Sequence, residues 1–426
     1  MKRALIITYY WPPAGGPGVQ RWLHFVRYLK EFEVEPIVYV PENAHYPLID
    51  ESFTDFVPTD IEILKQPIKE PYKMASLFSK KKTKTISSGI ISKKKQSLAE
   101  KLLLYIRGNF FIPDARIGWV KPSFIFLKNY LAENPVDVII SSGPPHSLHL
   151  IGLRLQNEIG VKWIADFRDP WTTIHYHKSL KLTKSSEAKH KKLESQILNS
   201  ADKIIVTSPT TKKEFEAITN KPIEVITNGY ELSGKIESEL DEKFTIAHIG
   251  SLLSERNPNM LWKVLSEIVS ENKDFKNDFE LKLAGTVSED VLNSIKTFGL
   301  NNNLNLLGYV SHSEAIKLQH NAQVLLVLEI DKPETRAIIP GKIFEYLAAK
   351  RPIIALGPKE SDIEYILEET QSGHFFSDEQ ETKLKNYILS LYRDYKKDGV
   401  FVISNNIEKF SRKNLSEKLA DLLKSI

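Results

Sequence analysis

Short aliphatic runs separated by helical stretches recur along this chain, and that alternation limits its fold more than any other feature. Ala4–Tyr10, Pro36–Val40, Val136–Ser141, Lys162–Asp166, Lys203–Thr207 and Pro222–Ile226 read as strands. Between them lie helical segments such as Leu148–Ile159 and Lys184–Asn199. After the first strand and its glycine-bearing loop, Trp22, Leu23, Phe25, Val26 and Leu29 recur at helical spacing, with Arg21, His24, Arg27 and Lys30 between them. The pattern then restarts with Phe244–Ile249, Glu280–Ala284, Leu304–Leu307, Val324–Leu328 and Pro352–Leu356. Strands alternating with helices predict a parallel sheet covered on both faces. A chain of 426 residues is also too long for one ordinary core. The expected class is therefore α/β, with two Rossmann-like doubly wound domains facing across a cleft, where ligands of such sheets bind. The expected boundaries are 1–228, a polar linker over 229–243, a second domain over 244–405 and a C-terminal helical tail over 406–426.

Composition narrows the function classes. Hydrophobic content of 42% and charged content of 26% are those of a soluble globular protein. The chain has no cysteine, which excludes disulfides, thiolate metal sites and cysteine nucleophiles and fits a reducing, cytoplasmic compartment. No apolar run reaches the ~18–20 residues of a membrane span. Met1-Lys2-Arg3 ahead of Ala4–Trp11 has the outline of a signal peptide, but the apolar stretch is short and ends in Pro12-Pro13, so a first strand is expected. A net charge of +4 is too small to argue for a nucleic-acid partner.

Charge is concentrated in one place. Residues 72–107 carry ten basic side chains against one acidic residue, Glu100, with Leu77, Phe78, Ile86, Ile90 and Ile91 interleaved. Such a stretch reads either as a solvated insertion or as a contact for an anionic membrane, where each lysine adds roughly 1 kcal/mol.

Six loops carry residue types suited to chemistry. In Pro340-Gly341-Lys342-Ile343-Phe344-Glu345, Lys342 falls in the first turn of a short helix, where a cation costs about 0.3–1 kcal/mol. A cation there suits an anion such as a phosphate. Glu345, one turn on, is placed to accept from vicinal sugar hydroxyls; the plainer reading is a surface lysine and a helix-stabilising glutamate. The Pro12–Gly18 loop follows strand one and lacks G-x-G-x-x-G. Its Gly15 and Gly16 read as positions where backbone N–H groups approach a phosphate or sugar, or as an ordinary turn. Ser141–Ser147 follows a strand and precedes a helix, so His146 reads as a proton-transfer candidate or as a helix-start residue without a catalytic role. Asp166, Arg168 and Asp169 form an acid–base or hydroxyl-binding cluster, or a structural ion pair holding the loop. In Gly250–Pro258, Asn257 is expected as N-cap and Pro258 as the first helical residue. Gly308-Tyr309-Val310 follows a further strand.

The segment Gly341-Lys342-Ile343-Phe344-Glu345-Tyr346-Leu347-Ala348-Ala349-Lys350-Arg351-Pro352 resembles the donor-binding segment of retaining GT-B glycosyltransferases of family four. The family pattern is a glutamate, seven residues and a second glutamate; Glu345 matches the second, and Ala337 stands where the first belongs. The resemblance implies that Glu345 holds the nucleotide ribose and leaves the mode of sugar binding open. It implies that Arg256 and Lys342 grip the donor diphosphate and neutralise it as it departs, Ser251 having replaced the usual first cation of the pair. It implies main-chain reading of the base at Tyr309 and Val310, and acceptor-hydroxyl binding at Asp169, with Arg168 in place of the usual histidine. It also implies that the tail helix crosses back onto the first domain. No Asp-x-Asp triplet is present, which fits metal-free catalysis, and no metal ligand and no cofactor beyond the NDP-sugar donor is expected. The expected activity is transfer of a sugar to a saccharide or lipid-linked acceptor of a cell-surface polysaccharide or glycolipid, at the cytoplasmic face of the membrane. Two alternatives share the fold: a sugar-nucleotide epimerase, and a non-catalytic nucleotide-sugar-binding subunit.

Overall fold

The computed structural model describes residues 1–70, 98–174, 177–231, 239–397, 399–400, 402 and 404–426. The lysine-rich stretch is therefore outside the described residues up to residue 97, as are residues 232–238 of the expected linker. The chain forms two compact units, Met1–Asn228 with Arg412–Ile426, and Gly229–Ser411.

The first unit is built on seven parallel strands: β1 (Lys2–Ile7), β2 (Val34–Pro41), β3 (Glu62–Gln66), β4 (Val138–Gly143), β5 (Lys162–Phe167), β6 (Lys203–Val206) and β7 (Ile223–Val225). Their order across the sheet is β3-β2-β1-β4-β5-β6-β7. The second has six: β8 (Phe244–Ile249), β9 (Phe279–Ala284), β10 (Leu304–Gly308), β11 (Val324–Leu328), β12 (Ile353–Leu356) and β13 (Gly373–Phe376), in the order β10-β9-β8-β11-β12-β13. Both orders run outward in two directions from their first strand, so each sheet has a switch point, at β1/β4 and at β8/β11, where open α/β sheets bind ligands. The two units are Rossmann-like domains.

The strands read as unbroken apolar runs because helices cover both faces of each sheet. Successive side chains point to opposite faces. In β1, Leu5 and Ile7 enter one core layer and Ala4 and Ile6 the other. In β11, Val324, Leu326 and Leu328 enter one layer and Leu325 and Val327 the other. The last helix, Arg412–Lys424, closes a layer of the first unit by packing Leu415, Leu419 and Leu423 with Trp22, Leu23 and Val26. The change of unit falls at Arg412, where the sequence reading set the tail at 406. Residues read as linker also join the second unit: Tyr230 is buried in its core, and Asp241 accepts from Lys282 Nζ at 2.7 Å and Thr245 Oγ1 at 2.8 Å.

Candidate functional site

At the switch point of the second sheet, three loops bring cations and carboxylates together. The chain leaves β8 through Gly250, whose φ of +129° lies in the region that favours glycine. Its N–H donates to Ala284 O at 2.7 Å, and a Cβ at Gly250 would come within 2.6 Å of Lys342 Nζ. Gly250 is thus the space into which the Lys342 ammonium fits. Gly285 (φ +114°) continues the arrangement, since a Cβ there would meet Gly250 O at 2.6 Å.

Lys342 is the first residue of helix Lys342–Ala349. Tyr346 anchors that helix: its fully buried hydroxyl accepts from Ile249 N at 3.0 Å. The Lys342 ammonium lies 3.2 Å from His248 Nε2, while His248 Nδ1 is 2.9 Å from Leu326 O. A carbonyl accepts only, so Nδ1 carries the proton and Nε2 accepts from Lys342. Burial holds the His248 pKa well below the ordinary value, with Lys342 beside it acting in the same direction, so the ring is neutral. Burial brings the Lys342 pKa down to about 8, and Arg256 pushes it the same way against Glu329 and Glu345. Arg256 sits on the turn Ser254–Arg256, with Nη2 3.6 Å from Oε2 of the buried Glu329 just beyond β11. One turn along the helix, Glu345 Oε2 accepts from Gln319 Nε2 at 2.9 Å.

The helix after Arg256 begins one residue later than its sequence suggests. It spans Asn259–Glu271 with Pro258 before it, and Asn257 does not cap it. The Asn257 side chain instead accepts from Trp262 Nε1 at 2.8 Å and donates to Ser294 Oγ at 2.7 Å. Tyr309, at the end of β10, is 90% exposed, with Val310 partly buried beside it.

The first unit treats its candidates differently. Asp166 is fully buried, and its carboxylate is filled by Arg21 (2.9 Å), Ser142 Oγ (2.7 Å) and Trp22 Nε1 (3.1 Å). An acceptor-side role for Asp166 does not fit this placement: its oxygens are occupied inside the core. Arg168 donates to the carbonyls of Gly143 and Pro144, and its guanidinium lies 5.5 Å from the Tyr10 ring centre. It ties the end of β5 to the loop after β4. His146 is 7% exposed and stacked on Trp171 at 4.8 Å, and burial holds its pKa well below the ordinary value. A buried, stacked ring of this kind suits packing better than the catalytic proton transfer read from the sequence. Asp169 remains partly exposed at the same strand end. Gly15 donates to Leu48 O at 3.0 Å and packs against the Leu48 side chain, whereas Gly16 (φ +97°) opens helix Pro17–Leu29 with free space about its Cα.

Residues 90–233 match the family described as Glycosyltransferase Family 4, and residues 232–413 match Glycosyl transferases group 1. The chain is a glycosyltransferase of the GT-B fold that resembles family four. The fold agrees at low identity. Sucrose-phosphate synthase from Thermosynechococcus elongatus gives a TM-score of 0.59 at 14% identity, over 100% of this chain and 99% of that one. The lipopolysaccharide outer core galactosyltransferase WaaB gives 0.59 at 13%, over 100% of both chains. A putative UDP-N-acetylglucosamine 2-epimerase from Listeria monocytogenes gives 0.54 at 12%, over 100% and 96%. These likenesses speak to the GT-B fold alone. No curated protein matches the sequence.

In this glycosyltransferase, His248, Glu329, Tyr346 and the fit of Gly250 around Lys342 went unread in the sequence. The available signal was a polar residue within or just after an apolar strand, as in Phe-Thr-Ile-Ala-His-Ile and Val-Leu-Leu-Val-Leu-Glu. Such a residue is buried by its neighbours and has to find a partner there. The resulting cluster offers fixed positive charge to an anion and a carboxylate to hydroxyl groups.

Proposed function

We propose that the enzyme transfers a sugar, with retention and without a metal ion, from an NDP-sugar to a saccharide or lipid-linked acceptor. The observation that carries this reading is the convergence of Lys342 and Arg256 at the β8/β11 switch point, with Glu345 one turn along the same helix. In this reading the two cations hold the diphosphate and stabilise its growing charge as the sugar–phosphate bond breaks. They supply the neutralisation that a metal ion supplies elsewhere. Glu345 accepts from the ribose hydroxyls, Gly341 lets the backbone approach, and Tyr309 and Val310 border the base through main-chain groups. On the acceptor side Asp169 is the remaining hydroxyl-binding candidate. The test is purified enzyme with a panel of nucleotide sugars, first by thermal shift and then by transfer or donor hydrolysis. NMR of the product reports its anomeric configuration, and a C2-inverted free NDP-sugar would mark an epimerase instead. Activity abolished by a chelator and restored by Mg²⁺ would refute the metal-free reading.

Glu345→Ala is expected to weaken nucleoside diphosphate binding roughly ten- to a hundredfold, since a charged hydrogen bond contributes about 1.5–3 kcal/mol. Unchanged affinity in calorimetry would remove Glu345 from the donor site.

We place the enzyme at the cytoplasmic face of an anionic membrane, docked through residues 72–107. Among the described residues of that stretch, helix Leu98–Phe110 exposes Leu102 (59%) next to Lys101. No helix among the described residues is long and apolar enough to cross a membrane. The enzyme is expected to sediment with anionic liposomes at low salt and to be released at high salt, where surface charge is screened. Changing Lys80, Lys81, Lys82, Lys93, Lys94 and Lys95 together to Gln should abolish sedimentation. Equal binding by the mutant would show that these lysines are not the docking contact, and a wild type that ignores anionic liposomes would point to a soluble acceptor.

A further inference from the structure

Glu329 has no part in the donor-binding pattern, yet it faces both of the cations assigned to the diphosphate. It stands just beyond β11, held there by its N–H donating to Leu356 O at 2.8 Å. Its side chain is only 2% exposed. Oε2 lies 3.6 Å from Arg256 Nη2, beyond hydrogen-bond length, and accepts no hydrogen bond from any described residue. The charged groups facing it are Arg256 and Lys342; Lys342 is in turn faced by His248 and Glu345. A Cβ at Gly357 would already stand 3.1 Å from Glu329 Cβ, so the side chain is closely backed on that side. A buried carboxylate beside two cations but without a hydrogen bond is a poor structural ion pair. It is well placed as a counter-charge that a stronger anion replaces.

We propose that Glu329 is the resident counter-ion of Arg256 and Lys342, and that the donor diphosphate takes over this role while Glu329 takes up a proton. The inference rests on the donor-site reading above. In the empty site an ionised Glu329 balances part of the cationic charge and keeps the pair from repelling itself. A diphosphate on the same cations sets further negative charge against a buried carboxylate. Like charge and burial both favour its neutral form. Burial alone already pushes the Glu329 pKa up, with Arg256 and Lys342 opposing. The proton comes from solvent onto a carboxylate oxygen, and no other bond changes. Binding that takes up a proton weakens as pH rises, by at most about tenfold per pH unit for one site while Glu329 is ionised in the free enzyme. Release of the nucleoside diphosphate after transfer returns the proton, so the same linkage favours product departure.

Calorimetry of the full-length enzyme with UDP and with GDP, near pH 7 in buffers of different ionisation heat, tests this. For the tighter of the two, the wild type is expected to take up about one proton per nucleotide and Glu329→Gln close to none. The variant should also bind more tightly, with an affinity that changes less with pH. Titration of the nucleotide's own phosphate, with a pKa near 6, is common to both proteins and cancels in the comparison. Equal uptake by the two proteins overturns the inference and leaves the donor site standing. No binding of either nucleotide overturns the donor-site reading and the inference with it. Thermal melting shows whether Glu329→Gln is folded. If it is not, uptake by the wild type well below half a proton is enough to reject the proposal.

Discussion

Lys342→Ala is expected to lower kcat/KM by about 10²–10³, the loss typical when one fixed donor aimed at developing charge is removed. The ammonium is held from several sides. Gly250 leaves room for it, His248 Nε2 accepts from it at 3.2 Å, and the helix that carries it is pinned by Tyr346 to the end of β8. A charge fixed in this way needs no reorganisation when the diphosphate departs. Leaving-group charge peaks in the transition state, so the loss should fall mainly on kcat. Arg256→Ala should cost less, because the guanidinium is 30% exposed and partly screened. Lys342→Arg should recover only part of the activity, since the planar fork does not fit the gap between Gly250 and His248. Steady-state kinetics with parallel nucleotide titrations separate these effects. A Lys342→Ala enzyme within a few-fold of wild type would show that another group carries the leaving-group charge.

The parts of this enzyme legible in the sequence are those where one local signal decides. β8 and β11 begin and end where their apolar runs do, because both faces are covered and every position is apolar or finds a partner. The edge strands β3 and β13 were not read. Glu-Ile-Leu-Lys-Gln is half exposed, and Gly-His-Phe-Phe is short and opens on glycine. Both lie at a sheet edge without the continuous burial of inner strands, whereas β7 and β10, at the opposite edges, keep enough aliphatic residues to be read. The short helix that carries Lys342 and Glu345 was readable, and Lys342 stands out on it because a cation in the first turn opposes the helix dipole. His248 and Glu329 were not, because a polar residue in an apolar run looks like an interruption until its tertiary partner is known. Asp166 and Arg168 show the converse. Two acids flanking an arginine at a strand end suggested chemistry, but the sequence does not show that Arg21 reaches Asp166 from another helix or that Arg168 turns to the carbonyls of Gly143 and Pro144.

Asp166 therefore gives the second large effect, and it concerns stability. Its carboxylate is fully buried and the Arg21 side chain is 1% exposed, so neither charge has access to water. Arg21 also donates to Thr227 O at 2.9 Å, which ties the helix after the first loop to the end of the first unit. Asp166→Ala leaves a buried guanidinium without its counter-charge, together with the unpaired donors of Trp22 and Ser142. Removing one partner of a buried pair costs about 3–5 kcal/mol. At about 2–4 °C per kcal/mol for a domain of this size, the melting transition of the first unit should fall by roughly 10 °C. Replacing both charges with apolar residues, as in Arg21→Met with Asp166→Leu, should recover part of the loss, because the stranded cation is gone. Nucleoside diphosphate affinity, which the proposed donor site assigns to the second unit, should not change in either variant. Differential scanning calorimetry with nucleotide titration distinguishes the outcomes. An Asp166→Ala enzyme that melts like the wild type but fails to use acceptor would return this carboxylate to the acceptor side. A large drop in melting temperature with donor binding intact places it in the frame of the first sheet.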